Sequence, residues 1–395
     1  MPKVFYQLIF IGFSIMMGMS LSSSFLPILA KSLDPSGLLV SLVVSAWFLS
    51  RVLLELPAGI ISDRIGRRRL LILGIGVSAL GPLICSQATN IYMLIIGRAF
   101  WGMGTAFYFM NNFALLMDIL PPNIRGRAIG LFQGIDFIGS FIGAPIGAYL
   151  TTLLSYNQVF YFTLGLTLVS LIVALRSESL KGVESQKTSR ALPPIKDILI
   201  SMKDWGITVL CINALLRMVI MQGIFQTMIQ LFFHNKLQLS VALIGILLSL
   251  RIIGQIISLF SAGMLSDRFG RKPVLISGFG LNGFALFFFT MVKGFNPLLF
   301  VSFLTGLGEG FCMTTLIALL SDLAPPNMRG GVIGVYRTFQ DIGGFGGPVL
   351  FMIVYTNNGP IIALYLAALL CLFSILLMAT SRSQHSAHLT PGTVV

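Results

Sequence analysis

Charge is what this sequence has least of. Only 10% of its 395 residues are Asp, Glu, Lys or Arg, against 56% hydrophobic residues and a mean hydropathy of +0.92. A chain of this length that lives in water needs far more charge, so a soluble globular protein is excluded. Metal-binding residues are also sparse. Three histidines and four cysteines are present, and Cys85, Cys211, Cys312 and Cys371 stand far apart within apolar runs. That pattern gives neither a disulfide framework nor a metal-ligand spacing, so buried free thiols and no metal site are expected. No phosphate loop and no nucleophile–base arrangement is present, so the chain does not read as an enzyme and no cofactor is expected. Asn-x-Ser/Thr acceptors and long polar tails are missing too, which fits a prokaryotic cytoplasmic membrane.

What is there is apolar sequence in long blocks. Twelve of them run over about 5–30, 39–61, 70–88, 91–117, 127–152, 157–175, 205–232, 240–265, 274–292, 297–321, 331–354 and 359–380. Blocks near 20 residues long cross the ~30 Å hydrocarbon core as helices. Their hydrophobicity does not alternate as barrel strands would, so the spanning elements are helical. The first block is too long for a cleaved leader and is expected to be retained. The net charge of +13 is distributed unevenly. With the N-terminus placed in the cytoplasm, the outer loops hold only Lys31, Lys236 and Lys293, and the other loop cations face inward. This positive-inside bias predicts a multi-pass cell-membrane protein with both termini cytoplasmic. The basic excess therefore reports topology, and no nucleic-acid partner is expected.

The chain also repeats itself. Adding 204 to positions in the first half finds their images in the second. Gly59-Ile60-Ile61-Ser62-Asp63-Arg64-Ile65-Gly66-Arg67-Arg68 becomes Gly263-Met264-Leu265-Ser266-Asp267-Arg268-Phe269-Gly270-Arg271-Lys272. Gly102 and Gly104 map to Gly306 and Gly308, Asp118 to Asp322, and Gly139 and Gly143 to Gly343 and Gly347. Six helices per copy put both copies in the same orientation, related by an axis along the membrane normal, with a central site between them. The predicted organisation is a six-helix bundle over 1–176, a cytoplasmic linker over 177–203, a second six-helix bundle over 204–381 and a tail over 382–395.

The decapeptide Gly59–Arg68 and its copy resemble the loop motif G-x-x-x-D-R-x-G-R-R/K of the major facilitator superfamily, in particular its twelve-helix drug:proton antiporters. The resemblance covers essentially the whole chain. It implies an all-α membrane fold of twelve helices in two pseudo-symmetric bundles, and a monomer. It also implies that Asp63, Arg67 and Asp118, with Gly59, Arg64, Gly66 and Arg68 around them, latch the two halves together at the cytoplasmic side. Gly263, Asp267, Arg268, Gly270, Arg271, Lys272 and Asp322 form the second copy. Physically, Gly59 and Gly66 remove side chains where helices approach closely or the chain turns.

Ionisable residues inside the spans each cost at least ~2.5–3.5 kcal/mol, so each needs a partner, a wet cavity or a function. They are Arg51, Glu55, Arg98, Asp136, Arg217, Arg251, Glu309, Arg337 and Asp341. The third, sixth, ninth and twelfth segments have none, and these are the outer, lipid-facing helices of the fold that the resemblance implies. Arg51–Glu55 and Arg337–Asp341 are spaced i,i+4, so each is a candidate self-neutralising pair within its helix. Asp136 and Glu309 have no such neighbour. Removal from water favours the neutral form of a carboxyl group, which suits reversible protonation. The order of proton-coupling candidates is Asp136, Glu309, Asp341, then Glu55. Arg217 or Arg251 could instead hold Glu309 in a fixed ion pair. Arg98 opens the run Arg98-Ala99-Phe100-Trp101-Gly102-Met103-Gly104, which resembles the R-x-x-x-G-x-G motif of proton-coupled members, where the arginine tunes the proton site.

The fifth segment resembles the superfamily's antiporter motif G-x8-G-x3-G-P-x-x-G-G. Gly130, Gly139, Gly143 and Gly147 hold their places, but Ala144 stands where Pro is expected, with Pro145 one position later, and Ala148 replaces the last Gly. Close helix packing is the alternative use of these glycines. Cavity candidates are Met16, Ser20, Ser23, Phe107, Asn111, Asn112, Arg217, Gln222, Phe225, Gln226, Met313 and Thr314. Met and Phe surfaces with few polar groups suit lipophilic or amphipathic solutes, although any one of these side chains could simply pack. No arginine pair one turn apart on the fourth or seventh segment suggests an organic-phosphate exchanger.

Three readings follow. The first is a proton-gradient-driven exporter of small lipophilic or amphipathic compounds, with the solute, protons and the bilayer as its partners. The second is an uptake carrier, coupled or facilitative, for an organic solute. The third is a non-transporting membrane sensor on the same scaffold, against which the gating motif in both halves argues.

Overall fold

The computed structural model describes residues 3–120, 125–178, 180, 202–292, 294–325 and 329–381; within its helices the side chains of 56, 59, 60, 63, 64, 113, 114, 117, 118, 125–127, 129, 329 and 330 are left out of the description. The helices are α1 (Lys3–Leu21), α2 (Leu26–Leu33), α3 (Gly37–Ile65), α4 (Arg67–Ser86), α5 (Ile91–Ile119), α6 (Arg125–Leu153) and α7 (Tyr156–Arg176). They continue with α8 (Trp205–Ile220), a π-helical stretch (Met221–Met228), α9 (Ile229–Asn235), α10 (Val241–Phe269), α11 (Arg271–Phe289), α12 (Phe295–Leu323), α13 (Arg329–Asn358) and α14 (Pro360–Thr380). Eleven spans are long and apolar enough to cross a bilayer by composition, the stretch Trp205–Asn235 counting as one. The twelfth is α13, 30 residues long but diluted by Arg337, Gln340, Asp341 and a run of glycines. Its polar residues sit on a helix that packs against both α3 and α8. No strand occurs among the described residues.

Local chemistry sets many of the ends. Ser36, Asn90, Ser155, Asp204 and Ser240 each cap a helix by accepting a backbone N–H three residues on, the usual way to satisfy donors left free in the first turn. Gly66 and Gly270 end α3 and α10 at φ +96° and +87°, a conformation nearly closed to other residues. Most of the sequence decapeptide is therefore helix, and only its second glycine is a turn.

Two of the predicted segments are not continuous α-helices. The first breaks over Ser22–Phe25, where Ser22 and Ser23 bond back to Met19 O and Ser20 O and Pro27 opens α2. Serine hydroxyls competing for carbonyls, next to a residue with no N–H, weaken the helix there. The seventh contains the π stretch, where Thr227 Oγ1 reaches Gln222 O and Gln230 Nε2 reaches Phe225 O, each five residues back. The two irregularities fall at equivalent places in the repeat.

Glycines bring the backbones together. A Cβ on Gly74 would lie 2.7 Å from Tyr108 N, and one on Gly278 would lie 2.8 Å from Cys312 Sγ, so α4 packs on α5 as α11 packs on α12. Gly139, Gly143 and Gly147 all face carbonyls of α1, those of Phe13, Met17 and Leu21. This ladder of small residues on one face permits close helix approach. The packing use of the fifth-segment glycines is thus realised, except at Gly130, which has no neighbour within 4 Å. The helices without charge at mid-depth, α4, α7, α11 and α14, are peripheral: α4 leans on α5 and α7, and α11 on α12 and α14.

The halves meet along α3–α13 and α6–α10. Ser45 donates to Phe345 O at 2.7 Å, Phe48 covers Gly344, Lys31 sits over Tyr355, and Gly245 abuts Ala148. All of these lie toward the end of the molecule remote from Gly66 and Gly270. At the motif end, Gly130, Gly134, Gly263 and Gly334 have nothing within 4 Å among the described residues. Among the described residues, these contacts between the halves gather toward the far end.

Candidate functional site

Three charged clusters occupy the middle of the spans. The first lies on the seam. Arg51 of α3 bonds Glu55 one turn on at 2.5 Å and reaches Asp341 of α13 at 3.3 Å. Its guanidinium also lies 4.7 Å from the Trp47 ring and 5.5 Å from the Phe109 ring. One of the two i,i+4 pairs therefore forms as the spacing suggests. The other does not: Asp341 turns away from its own helix to Arg51 of the opposite half, and Arg337 lies within electrostatic reach of Glu55, Arg51 and Asp341. Spacing along one helix cannot anticipate a partner on another.

The second cluster is a single group. Asp136 of α6 is 7% exposed, and its Oδ1 has no hydrogen-bond partner. It faces α1 at Gly12, where a Cβ would come within 2.5 Å of Oδ1, and it lies beside Phe132 and within reach of Tyr108. Gly12 is the opening in α1 that admits the carboxyl group. Asp136 makes no ion pair among the described residues.

The third cluster lies in the second half. Glu309 of α12 is 1% exposed and ion-paired with Arg217 of α8, leaving Oε2 unbonded. Arg251 of α10 is within electrostatic reach of both. The sequence left a fixed pair for Glu309 open, and the structure makes it with Arg217. Arg98 belongs to none of the clusters. Its Nε donates to Val43 O at 3.2 Å and its guanidinium lies 5.2 Å from the Trp101 ring, so it ties α5 to α3 rather than touching Asp136.

The cavity candidates divide. Phe107 packs with Ala58 and Leu70, and Asn111 bonds both Ser62 Oγ and Phe107 O, so both are engaged inside the first half. Asn112 Nδ2 donates to Tyr108 OH. Met16, Ser20, Ser23, Gln222, Gln226, Met313 and Thr314 are half-buried. Gln222, Phe225 and Gln226 sit on the π stretch, a feature frequent at functional sites. Nothing in the sequence marked that stretch apart from its amides.

Of the latch residues, the side chains of Gly59, Asp63, Arg64 and Asp118 lie outside the described residues. In the second copy Arg271 pairs with Asp322 at 2.8 Å, within one half. Asp267 makes no ion pair among the described residues, and Arg268 lies over Phe269. Arg68 reaches Leu175 O and Lys272 reaches Ser381 O. The linker and tail calls, 177–203 and 382–395, fall almost wholly outside the described residues.

Comparison with known proteins fits this geometry. The chain is 25% identical over 358 residues to multidrug resistance protein 2 of Bacillus subtilis (strain 168), covering 89% of this chain and 87% of that protein. It is 21% identical over 351 residues to the quinolone resistance protein NorA of Staphylococcus aureus (strain MSSA476), covering 89% of each. In fold it is similar to the nucleoside transporter NupG, with a TM-score of 0.75 at 15% identity over 96% of this chain and 99% of that one. It is also similar to the human organic anion transporter MFSD10 (TETRAN), with a TM-score of 0.71 at 16% identity over 96% and 100%. The sequence profile described as Major Facilitator Superfamily matches twice, over residues 8–233 and 210–393. A duplicated twelve-span bundle, charged only where the spans face one another and matched by that profile along nearly its whole length, belongs to the major facilitator superfamily and is a membrane transporter rather than an enzyme.

Proposed function

We propose that the chain is a proton-coupled exporter of small amphipathic compounds, working by alternating access in a cell membrane with its motif end in the cytoplasm. The observation that carries this reading is Asp136, a buried carboxylate with no ion-pair partner among the described residues. A proton and a positively charged solute compete for such a group, so each leaves as the other binds. Negative linkage of that kind is the requirement for exchange in opposite directions. The similarity to two drug-resistance proteins supports the same reading. Closure of the Asp63 and Asp267 motifs against the opposite half would seal the cytoplasmic end.

The test is transport of rhodamine 6G, a lipophilic cation, in proteoliposomes carrying an imposed pH gradient. The dye is expected to accumulate on the acidic side and to reverse direction when the gradient is reversed. Asp136→Asn is expected to lower gradient-driven accumulation by at least about tenfold while retaining dye exchange without a gradient. Gradient-insensitive transport by the wild-type protein, or a fully coupled Asp136→Asn variant, would refute the reading.

A further inference from the structure

The third cluster carries more positive charge than its own carboxylate neutralises. Glu309 is bound to Arg217, and Arg251 is left as a second guanidinium beside that pair. The other membrane-core carboxylates are committed elsewhere: Glu55 and Asp341 to Arg51 on the seam, and Asp136 against Gly12 of α1. Arg251 is 4% exposed, and no carboxylate among the described residues is bonded to it. Its contacts are soft and apolar. Nη2 lies 2.8 Å from Met221 Sδ, the guanidinium carbon lies 4.6 Å from the Phe225 ring, and Nε has no partner. An aromatic face and a thioether orient a guanidinium without cancelling its charge. A buried cation that shares its one nearby carboxylate with a second arginine is undercompensated, and an anion that comes and goes would complete it.

We propose that Arg251 is an anion subsite that takes the carboxylate or sulfonate of an amphipathic solute. A guanidinium fork matches either group through paired N–H donors. The surroundings suit the rest of such a molecule. Gln255, one turn along α10, has its amide 3.6 Å from Met313 Sδ, and half-buried Gln222 and Gln226 project from the π stretch that carries Met221 and Phe225. The site thus joins one fixed positive charge and amide donors to a Met- and Phe-lined wall. The proposal deepens the exporter reading and rests on it, because it assigns the charged end of the exported compound.

Two dyes built on the same three-ring core and carrying opposite charge test it. Fluorescein is the anion and rhodamine 6G the cation, and binding to the full-length protein in lipid nanodiscs is followed by fluorescence anisotropy. The wild-type protein is expected to bind both. Arg251→Gln is expected to weaken fluorescein by about tenfold or more and to strengthen rhodamine 6G, because the same charge repels the cation. Equal fluorescein affinity in the wild-type and Arg251→Gln proteins overturns the subsite. Wild-type binding of rhodamine 6G without fluorescein also overturns it and leaves the exporter reading standing. Failure of the wild-type protein to bind either dye overturns both. If Arg251→Gln loses both dyes together, Arg251→Lys decides: it keeps the charge but not the fork, so selective weakening of fluorescein supports the subsite and parallel loss of both dyes overturns it.

Discussion

The two halves share a skeleton but not a chemistry. Gly74 and Gly278, Gly104 and Gly308, and Gly143 and Gly347 are exact images at an offset of 204, and each lies tightly against a neighbouring helix. The charges have no such images. Asp136 corresponds to Gln340, Glu309 to Thr105, Arg217 to Phe13 and Arg251 to Trp47. The first half holds a buried acid with no ion-pair partner, whereas the second holds an acid already bound to one arginine with another beside it. The repeat thus fixes how helices pack, and divergence between its copies decides what sits at the centre. A proton arriving at Asp136 competes with a cation, while a proton arriving at Glu309 would add to the positive charge around Arg251 and favour an anion. One scaffold can therefore carry linkages of opposite sign in its two halves.

This contrast can be broken most forcefully through stability. Glu309→Gln leaves Arg217 and Arg251 buried without a carboxylate and is expected to cost about 3–5 kcal/mol, read as a lower thermal midpoint of the purified protein. Asp136→Asn strands no cation and is expected to leave the midpoint unchanged or higher. Adding Arg217→Gln to Glu309→Gln is expected to recover much of the loss. Equal destabilisation by Glu309→Gln and Asp136→Asn would erase the difference between the halves.

The shared skeleton makes the opposite prediction. Gly104→Val and Gly308→Val place side chains against Ser78 and Asn282 at equivalent contacts and are each expected to cost about 1–3 kcal/mol. A clear inequality between them would show that the packing has diverged as well. The smallest effect is expected from Asp322→Asn. The Arg271–Asp322 pair has side chains 31% and 51% exposed, so its loss is expected to shift stability by no more than about 1 kcal/mol.

Much of this was legible in the sequence, and the failures have one cause. Span number, the repeat and the peripheral place of the charge-free segments follow from block length and from the cost of charge in lipid, both properties of a single helix. Asp136 and Glu309 stood out because nothing one turn away could neutralise them. What the sequence could not show was which partners meet between helices: Arg51 reaches Asp341 across the seam, and of the two arginines open to Glu309 it is Arg217 that binds it, with Arg251 nearby. A search for arginines one turn apart on one helix missed a pair brought together from α8 and α10. The break after Leu21 had a readable signal in Ser22-Ser23-Ser24 and Pro27. The π stretch at Met221–Met228 had no signal beyond its amides, because its composition suits an α-helix equally well.

The Arg51–Asp341 contact has a mechanical meaning that its energy alone does not convey. When two rigid bodies tilt against each other, separation grows with distance from the fulcrum, so contacts at the rims are made and lost while those at mid-depth hardly stretch. Ser45 and Gly245 touch the opposite half nearer one rim, through a small side chain and a glycine that part at little cost. The ionic contact, the one most expensive to break, lies midway along α3, where a tilt displaces it least. It can therefore act as an axle pin, keeping the bodies in register through a cycle without having to be pulled apart in each turn.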